Sequence, residues 1–156
     1  MTEIKRLVDT VKTLRSENGC PWDRQQTHES LKPECIEEAA EVIAAINIFD
    51  KTGDAENLKE ELGDLLLQVM FHSVIAEEEG LFTFDDVAAV VTEKMIRRHP
   101  HVFLGVTYES KEEQRAAWEE IKAEEKNGKE WHCDYLKQAL DESEALLEQA
   151  RTRKGF

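Results

Sequence analysis

Glycine and proline are scarce in this chain, with seven glycines and three prolines among 156 residues. Their combined share lies below the roughly 12% of an average protein, so few positions force a helix to end. Glutamate, lysine, leucine and alanine, which favour helices, are abundant instead. The length is typical of one domain, and the composition predicts long helices.

Cysteine is also rare, and its pattern excludes several kinds of site. The three cysteines are widely spaced and form no Cys-x-x-Cys motif. We therefore expect reduced thiols in a cytoplasmic protein. No His/Asn pattern marks a cysteine nucleophile, so we expect Cys20 and Cys35 to be unreactive or weakly reactive.

Long apolar runs are missing, and positive charges are outnumbered. No apolar run approaches the ~18 residues of a membrane span, and the first residues lack the apolar segment of a signal peptide. Lysine and arginine number 20 against 34 acidic residues, which gives a net charge of −14. Nucleic acids and anionic lipids bind surfaces rich in lysine and arginine. We expect neither a nucleic acid nor a membrane as a partner.

Apolar residues recur at helical spacing in six segments. They predict helices over about 3–17, 33–51, 55–79, 84–98, 111–126 and 136–150. Asp54 is the predicted N-cap of the third helix, and Ser110 with Glu113 predicts a capping box on the fifth. Residues 18–23 and 100–109 are predicted loops. The absence of a strand pattern favours an all-α helical bundle.

The third predicted helix is apolar on nearly all sides except for one polar stripe. A helix that is apolar all round is expected to be buried. The stripe consists of Glu61, Asp64, Gln68 and His72. Buried carboxylates cost several kcal/mol each unless something compensates them. We expect Gln68 to support the acids by hydrogen bonding, and His72 to be a core histidine rather than a ligand.

The second predicted helix has a matching acidic side, formed by Glu34, Glu37, Glu38 and Glu41. Glu38 and Glu41 are three residues apart and project together. Glu61 and Asp64 do the same on the third helix. Carboxylates brought this close repel each other unless they are protonated or bridged by a cation. Oxygen ligands without cysteine suit Mg²⁺ or Mn²⁺.

Two other interpretations of these acids are open. A single Glu-x-x-Glu pair usually lies on a solvated helix face. Two matched acid pairs, one of them in an otherwise apolar helix, weaken that explanation. A di-iron carboxylate bundle would carry Glu-x-x-His on two helices. That motif does not occur in the chain, which disfavours redox iron.

Three cations, Lys94, Arg97 and Arg98, end the fourth predicted helix. They complement the helix dipole, and they also form a candidate phosphate-binding cluster, because arginine binds phosphate oxygens bidentately. Trp118 and Trp22 are candidates for stacking on a base, although we expect core packing for Trp22. No Walker A or Gly-x-Gly-x-x-Gly motif is present, which excludes P-loop and Rossmann nucleotide sites.

Together these segments resemble the MazG-type nucleoside triphosphate pyrophosphohydrolases of the all-α NTP pyrophosphatase superfamily. The similarity covers about residues 7–126, with the motifs in the expected order. The matching segments are Asn-Gly-Cys-Pro-Trp-Asp at 18–23, Glu-Glu-x-x-Glu-Val at 37–42, Glu-Leu-Gly-Asp-Leu-Leu at 61–66, Glu-Glu-Gly at 78–80, Arg-Arg-His-Pro-His-Val-Phe at 97–103 and Trp-x-x-Ile-Lys at 118–122.

The resemblance implies an enzyme that uses Mg²⁺ to split a nucleoside triphosphate into a monophosphate and pyrophosphate. The implied metal ligands are Glu38, Glu41, Glu61 and Asp64. Lys94 and Arg98, with Arg97 close by, are the implied triphosphate contacts, and Trp118 is the implied nucleotide contact. Glu37 or Glu38 is the candidate general base. Glu34 and Glu37 lie beside the first acid pair and are candidates for orienting water or ligands.

The resemblance also implies a MazG-like domain over residues 1–126, assembling as a homodimer or a higher homo-oligomer. Residues 127–156 are then a helical extension that packs on the same domain or on a partner subunit. House-cleaning of modified nucleotides is one role for such an enzyme. Two alternatives are a non-catalytic helical partner-binding protein and a narrow deoxynucleotide diphosphatase of related fold.

Overall fold

The computed structural model describes residues 2–156, in which no residue belongs to a strand. The all-α prediction is therefore confirmed. In the same range, no helix is both long and apolar enough to cross a bilayer. The helices are α1 (Glu3–Arg15), α2 (Pro21–Gln25), α3 (Lys32–Thr52), α4 (Glu56–Glu78), α5 (Phe84–Arg98), α6 (Pro100–Phe103), α7 (Lys111–Lys126) and α8 (His132–Lys154).

All six predicted helices are present, and two short helices, α2 and α6, are additional. They begin in the segments 18–23 and 100–109, which were wrongly predicted to be loops throughout, and α2 continues to Gln25. Each begins at a proline, Pro21 or Pro100. Proline at the first helical position loses no hydrogen bond and already has a helical φ. A residue that indicates a break can therefore also start a helix.

The first compact unit comprises the residues up to Phe84 together with Leu140–Phe156. Its centre is the antiparallel hairpin of α3 and α4. Gly53 ends α3 with a φ of 73°, a conformation that favours glycine. Asp54 Oδ1 then accepts a hydrogen bond of 3.0 Å from the Glu56 N–H. The prediction of Asp54 as the N-cap is wrong by one residue, because Ala55 occupies that position, but the Asp54 side chain still accepts from the first N–H of α4.

The buried residues of α4 all lie in its second half. Met70 and Val74 are 0% and 2% exposed, whereas Leu62 in the first half is 50% exposed. The prediction of a helix buried along its whole length is therefore wrong for the first half. The reason is that α1 and α3, the helices packed on α4, leave one side of its first half uncovered. The core cluster contains Val11, Leu31, Met70, Phe71, Val74 and Ile75.

Arg15 fixes the segment 18–23 to the end of α4. Its side chain is only 6% exposed, and its guanidinium donates to a Glu78 carboxylate oxygen at 2.7 Å. It also donates to the carbonyl oxygens of Asp23 and Gln26, at 2.7 and 2.9 Å. Buried carbonyls left without donors cost free energy, so Arg15 gives this motif segment a structural role.

The second compact unit is Asp85–Ala139. Within it, Ser110 Oγ accepts a hydrogen bond of 3.1 Å from the Glu113 N–H at the start of α7. The Glu113 carboxylate accepts from the Glu109 N–H, at 2.7 Å, one residue before the position that a regular capping box uses. Helix α8 begins in this unit, and the domain boundary at residue 126 stays a prediction.

Candidate metal and substrate site

Three acidic side chains converge where α3 and α4 lie side by side. Glu38 comes from α3, and Glu61 and Asp64 lie one turn apart on α4. One carboxylate oxygen of each lies within 4.8 Å of the other two. The hairpin therefore brings together three of the four acids that were predicted to bind a metal; we call them the acid cluster.

Glu38 is the least compensated member of the acid cluster. Its Oε2 is buried and accepts no hydrogen bond from residues 2–156. Burial raises the pKa of the Glu38 carboxyl, and the charges of Glu41, Asp64 and Glu61 raise it further, against a smaller lowering by Lys154. A buried carboxylate with acidic neighbours is stabilised by a cation. Three oxygen donors at this spacing fit a Mg²⁺ or Mn²⁺ ion.

Two polar side chains of α4, Asn57 and Gln68, each lie four residues from an acid of the cluster. Asn57 Nδ2 donates to Glu61 Oε1 at 2.9 Å and so fixes one carboxylate. Sequence reasoning missed this contact, although the four-residue spacing is a readable signal. The Gln68 side-chain oxygen is buried and has no partner in the described part of the chain. Support of the acids would have to come from the Gln68 amide N–H groups, which are donors, and it stays a prediction.

Glu41, the fourth predicted ligand, lies outside the acid cluster and contacts α8 instead. The Lys154 ammonium contacts Glu41 Oε1 and lies 3.9 Å from Glu37 Oε2. The Arg153 guanidinium contacts Glu37 Oε1. Glu34 lies exposed in the first turn of α3. Two acids that the sequence assigns to the site are therefore neutralised by the C-terminal helix.

His72 forms a chain of contacts that sequence reasoning missed. Its Nε2 lies 3.2 Å from Cys35 Sγ, and its Nδ1 lies 2.7 Å from the Nδ1 of His28. Burial, together with His28, lowers the pKa of His72. Burial and the neighbouring acids raise the pKa of the Cys35 thiol. The thiol therefore stays protonated near neutral pH, and both ring nitrogens of His72 contact protein side chains.

In the second unit, Arg97 and Arg98 share one acid, Glu125. Arg97 Nε donates to Glu125 Oε1 at 2.8 Å, and an Arg98 Nη donates to Oε2 at 2.6 Å. Arg98, followed by Arg97, lowers the pKa of the Glu125 carboxyl through these bonds. The Arg98 guanidinium carbon also lies 5.5 Å from the Trp118 ring centroid, within the range of a cation–π contact. Sequence reasoning did not single out Glu125.

The remaining predicted substrate residues are also in the second unit. Lys94 lines an open groove with Arg97 and Arg98, between α5, α7 and the start of α8. Trp118 packs against the edge of His99 with a centroid separation of 4.8 Å. The prediction of core packing for Trp22 is wrong. Trp22 is 74% exposed because α2 is a short surface helix without buried residues.

Comparisons with known proteins show which family this chain resembles. Residues 26–103 match the family profile of the MazG nucleotide pyrophosphohydrolase domain. The "Nucleoside triphosphate pyrophosphohydrolase/pyrophosphatase MazG" of Thermotoga maritima is 52% identical over 129 residues, covering 81% of this chain and 46% of that protein. The "Nucleoside triphosphate pyrophosphohydrolase" of Escherichia coli is 45% identical over 133 residues, covering 85% and 49%.

A third relative, "Uncharacterized protein YabN" of Bacillus subtilis, is 50% identical over 128 residues, covering 82% of this chain and 25% of that protein. The chain thus spans about half, or less, of these curated relatives. The matched region contains the acid cluster and the cations at the end of α5, whereas Trp118 and α8 lie outside it. On the match to half of its length, the chain belongs to the MazG family of nucleotide pyrophosphohydrolase domains.

Proposed function

We propose that this protein hydrolyses nucleoside triphosphates to nucleoside monophosphates and pyrophosphate, with Mg²⁺ as its metal. The observation that carries the proposal is the buried Glu38 Oε2, which has no partner in residues 2–156 and lies in a cluster with Glu61 and Asp64. The names of the Thermotoga maritima and Escherichia coli relatives support the choice of reaction.

In this proposal Glu38, Glu61 and Asp64 hold the metal, and Glu41 completes the set of ligands. A metal ion held by these residues would supply polarisation of phosphoryl oxygens and a bound water of lowered pKa. Asn57 keeps the Glu61 carboxylate oriented through its hydrogen bond, the usual role of a residue behind a metal ligand.

Two acids of α3 are candidates for accepting the proton of the attacking water. Burial and acidic neighbours raise the pKa of Glu38, which brings it closer to the pH at which a general base works best. Glu37 is oriented by Arg153 at the same end of the hairpin. Glu34 is one turn earlier and is exposed, so it is assigned to orienting water or substrate.

The cations of the second unit are assigned to the triphosphate. Arg97 and Arg98 each use two guanidinium nitrogens on Glu125. Each retains donors for a phosphate, because a guanidinium has five N–H groups. Lys94 adds a mobile point charge. These cations stabilise the charge that develops on the departing pyrophosphate, and Trp118 contacts the nucleoside.

Exposed apolar side chains on α3 and α4 support a homodimer or a higher homo-oligomer. Contiguous exposed apolar surface commonly marks a protein interface. The side chains involved are Ile43 (61% exposed), Ile46 (48%), Phe49 (44%), Leu62 (50%) and Val69 (37%). The proposal places this assembly in the cytoplasm, in keeping with three free cysteines in the described chain.

Product analysis tests the proposal directly. The full chain is incubated with each ribo- and deoxynucleoside triphosphate, and with oxidised or methylated analogues, in Mg²⁺ and in EDTA. The expected products are monophosphate and pyrophosphate, formed only with metal. Faster turnover of the modified nucleotides would support the house-cleaning role, since the rates then rank the substrates by base.

The other outcomes separate the alternatives. Diphosphate and orthophosphate as products would contradict cleavage between the α and β phosphates. Turnover of one deoxynucleoside triphosphate alone, out of the whole set, would support the narrow deoxynucleotide diphosphatase. No turnover, together with no stabilisation by millimolar Mg²⁺ and nucleotide, would support the partner-binding protein, because a bound ligand must raise the unfolding temperature.

A further inference from the structure

The last part of α8 lies along α3 and is attached to it by ion pairs at two places. Lys32 Nζ lies 3.0 Å from a Glu142 carboxylate oxygen. Farther along both helices, Lys154 contacts Glu41. The paired residues follow the same order on both helices, so α8 runs in the direction of α3 and delivers its final turn to the acidic side of the hairpin.

The final turn of α8 puts two positive charges on that side. Arg153 contacts Glu37, whose side chain is 12% exposed. Lys154 contacts Glu41, and the Lys154 and Glu41 side chains are 39% and 38% exposed. Arg153 therefore attaches the end of α8 to a mostly buried acid, while Lys154 keeps access to solvent and to any ligand.

Lys154 and a metal ion compete for the same carboxylate. The ammonium contacts Glu41 Oε1, and two cations a few ångströms apart repel each other strongly near a protein surface. An ion that takes Glu41 therefore releases Lys154. The flexible four-carbon stem of lysine then leaves its charge at the edge of the site. The phosphate oxygens of a bound nucleotide would provide new negative partners there.

We propose that Lys154 is a substrate-binding residue. It holds Glu41 in the metal-free protein and moves to a phosphate oxygen of the nucleoside triphosphate when a metal ion takes Glu41. This inference rests on the proposed function, because it uses that metal site and that substrate. Helix α8 lies outside residues 26–103, the part of the chain that matches the family. Lys154 is therefore a cation from beyond the matched region.

The test compares K154M with R151M by isothermal titration calorimetry of the full chain. K154M keeps the stem and removes the charge. R151M removes a charge from the same helix, since Arg151 is 69% exposed and pairs with Glu148 on α8. Mg²⁺ is titrated first. The α,β-methylene analogue of the best substrate is then titrated at saturating Mg²⁺.

K154M should bind Mg²⁺ a few-fold more tightly, since its competitor is gone. It should bind the analogue about tenfold more weakly, because a charge-assisted contact to phosphate is lost. R151M should change neither affinity. K154R should bind the analogue within about twofold of the wild type. An unchanged affinity of K154M for either ligand overturns the proposal, and so does a K154R protein as weak as K154M.

Two further variants keep the result interpretable. Circular dichroism checks the helices, and K154Q replaces K154M if the latter loses helicity. D64N is titrated in parallel. Wild-type Mg²⁺ affinity in D64N would mean that the proposed metal site itself is wrong. Lost Mg²⁺ binding in D64N, with K154M unchanged for both ligands, would mean that only the role of Lys154 is wrong.

Discussion

Glu38 in the first compact unit and Glu125 in the second both contact charged neighbours, but those neighbours have opposite signs. Glu38 lies with Glu61 and Asp64, and burial raises the pKa of its carboxyl. Glu125 lies between Arg98 and Arg97, which lower the pKa of its carboxyl. Glu38 Oε2 therefore has no hydrogen-bond partner in the described chain, and Lys154 offsets its acidic neighbours only in part, whereas Glu125 forms ion pairs with two arginines.

This difference separates two kinds of charged cluster that look equally functional in a sequence. An ion pair network that satisfies itself is common in structural roles, whereas a buried charge without a partner is favoured mainly where a ligand compensates it. The acid cluster is accordingly the stronger indication of a ligand. The arginines need a direct test before they are assigned to substrate.

Removing one carboxylate from the acid cluster should have the largest effect. Asp64→Asn keeps the size of the side chain but removes a charged ligand. We expect turnover to fall at least about 10³-fold, because the ion that activates water and polarises phosphate is lost. Steady-state kinetics at saturating nucleotide, with Mg²⁺ titrated to about 20 mM, measures the fall in turnover.

The matched control is Glu60→Gln, which removes an equal charge from the exposed neighbour of Glu61 on α4. Its turnover should stay within about twofold of the wild type, since surface substitutions away from a site have small effects. Full activity in Asp64→Asn would remove the acid cluster from the mechanism. Equal losses of turnover in both variants would mean that net charge, and not the acid cluster, determines activity.

The parts of this site that were predictable are those encoded by short spacings. Glu61 and Asp64 share a face because they are three residues apart. Glu38 meets them because only residues 53–55 join α3 to α4, which makes the two helices antiparallel neighbours. The acid cluster follows from periodicity and one short loop, without any knowledge of the rest of the fold.

The unpredicted parts are contacts between distant residues. Glu41 pairs with Lys154, which is 113 positions away, and Arg98 pairs with Glu125, which is 27 positions away. Helical spacing predicts neighbours within one helix, but which exposed charges meet depends on how separate helices pack. The exposed first half of α4 has the same origin, since periodicity shows which faces are apolar and not which of them are covered.

Arginine substitutions test whether the second cluster binds substrate or only itself. We expect Arg98→Lys to raise KM about tenfold with a smaller change in kcat, because lysine cannot reproduce bidentate phosphate binding. Arg97→Lys should raise KM only two- to threefold or about that, since its side chain is 53% exposed against 18% for Arg98. Unchanged KM in both variants would make this cluster purely structural.

The smallest effects, on stability, should have opposite signs in the two regions. The raised pKa of Glu38 means that its contribution is present below the ordinary glutamate pKa of about 4.3 and is lost as pH rises through the folded value. The lowered pKa of Glu125 means that its contribution is present above about 4.3 and is lost as pH falls through its folded value.

Thermal unfolding of Glu38→Gln and Glu125→Gln in EDTA, between about pH 3 and about pH 8, gives the sign of the change in unfolding temperature for each variant. At neutral pH, Glu38→Gln should raise the unfolding temperature by about 2–4 °C, since one buried uncompensated group costs about 1 kcal/mol. Glu125→Gln should lower it, because Arg97 and Arg98 lose their shared acid. Both differences should shrink toward pH 3, where the wild-type glutamates approach the neutral state that glutamine imitates. Shifts of the same sign at neutral pH would contradict the contrast between the two regions, whereas opposite shifts would show that the acid cluster is strained without a cation and the arginine cluster is not.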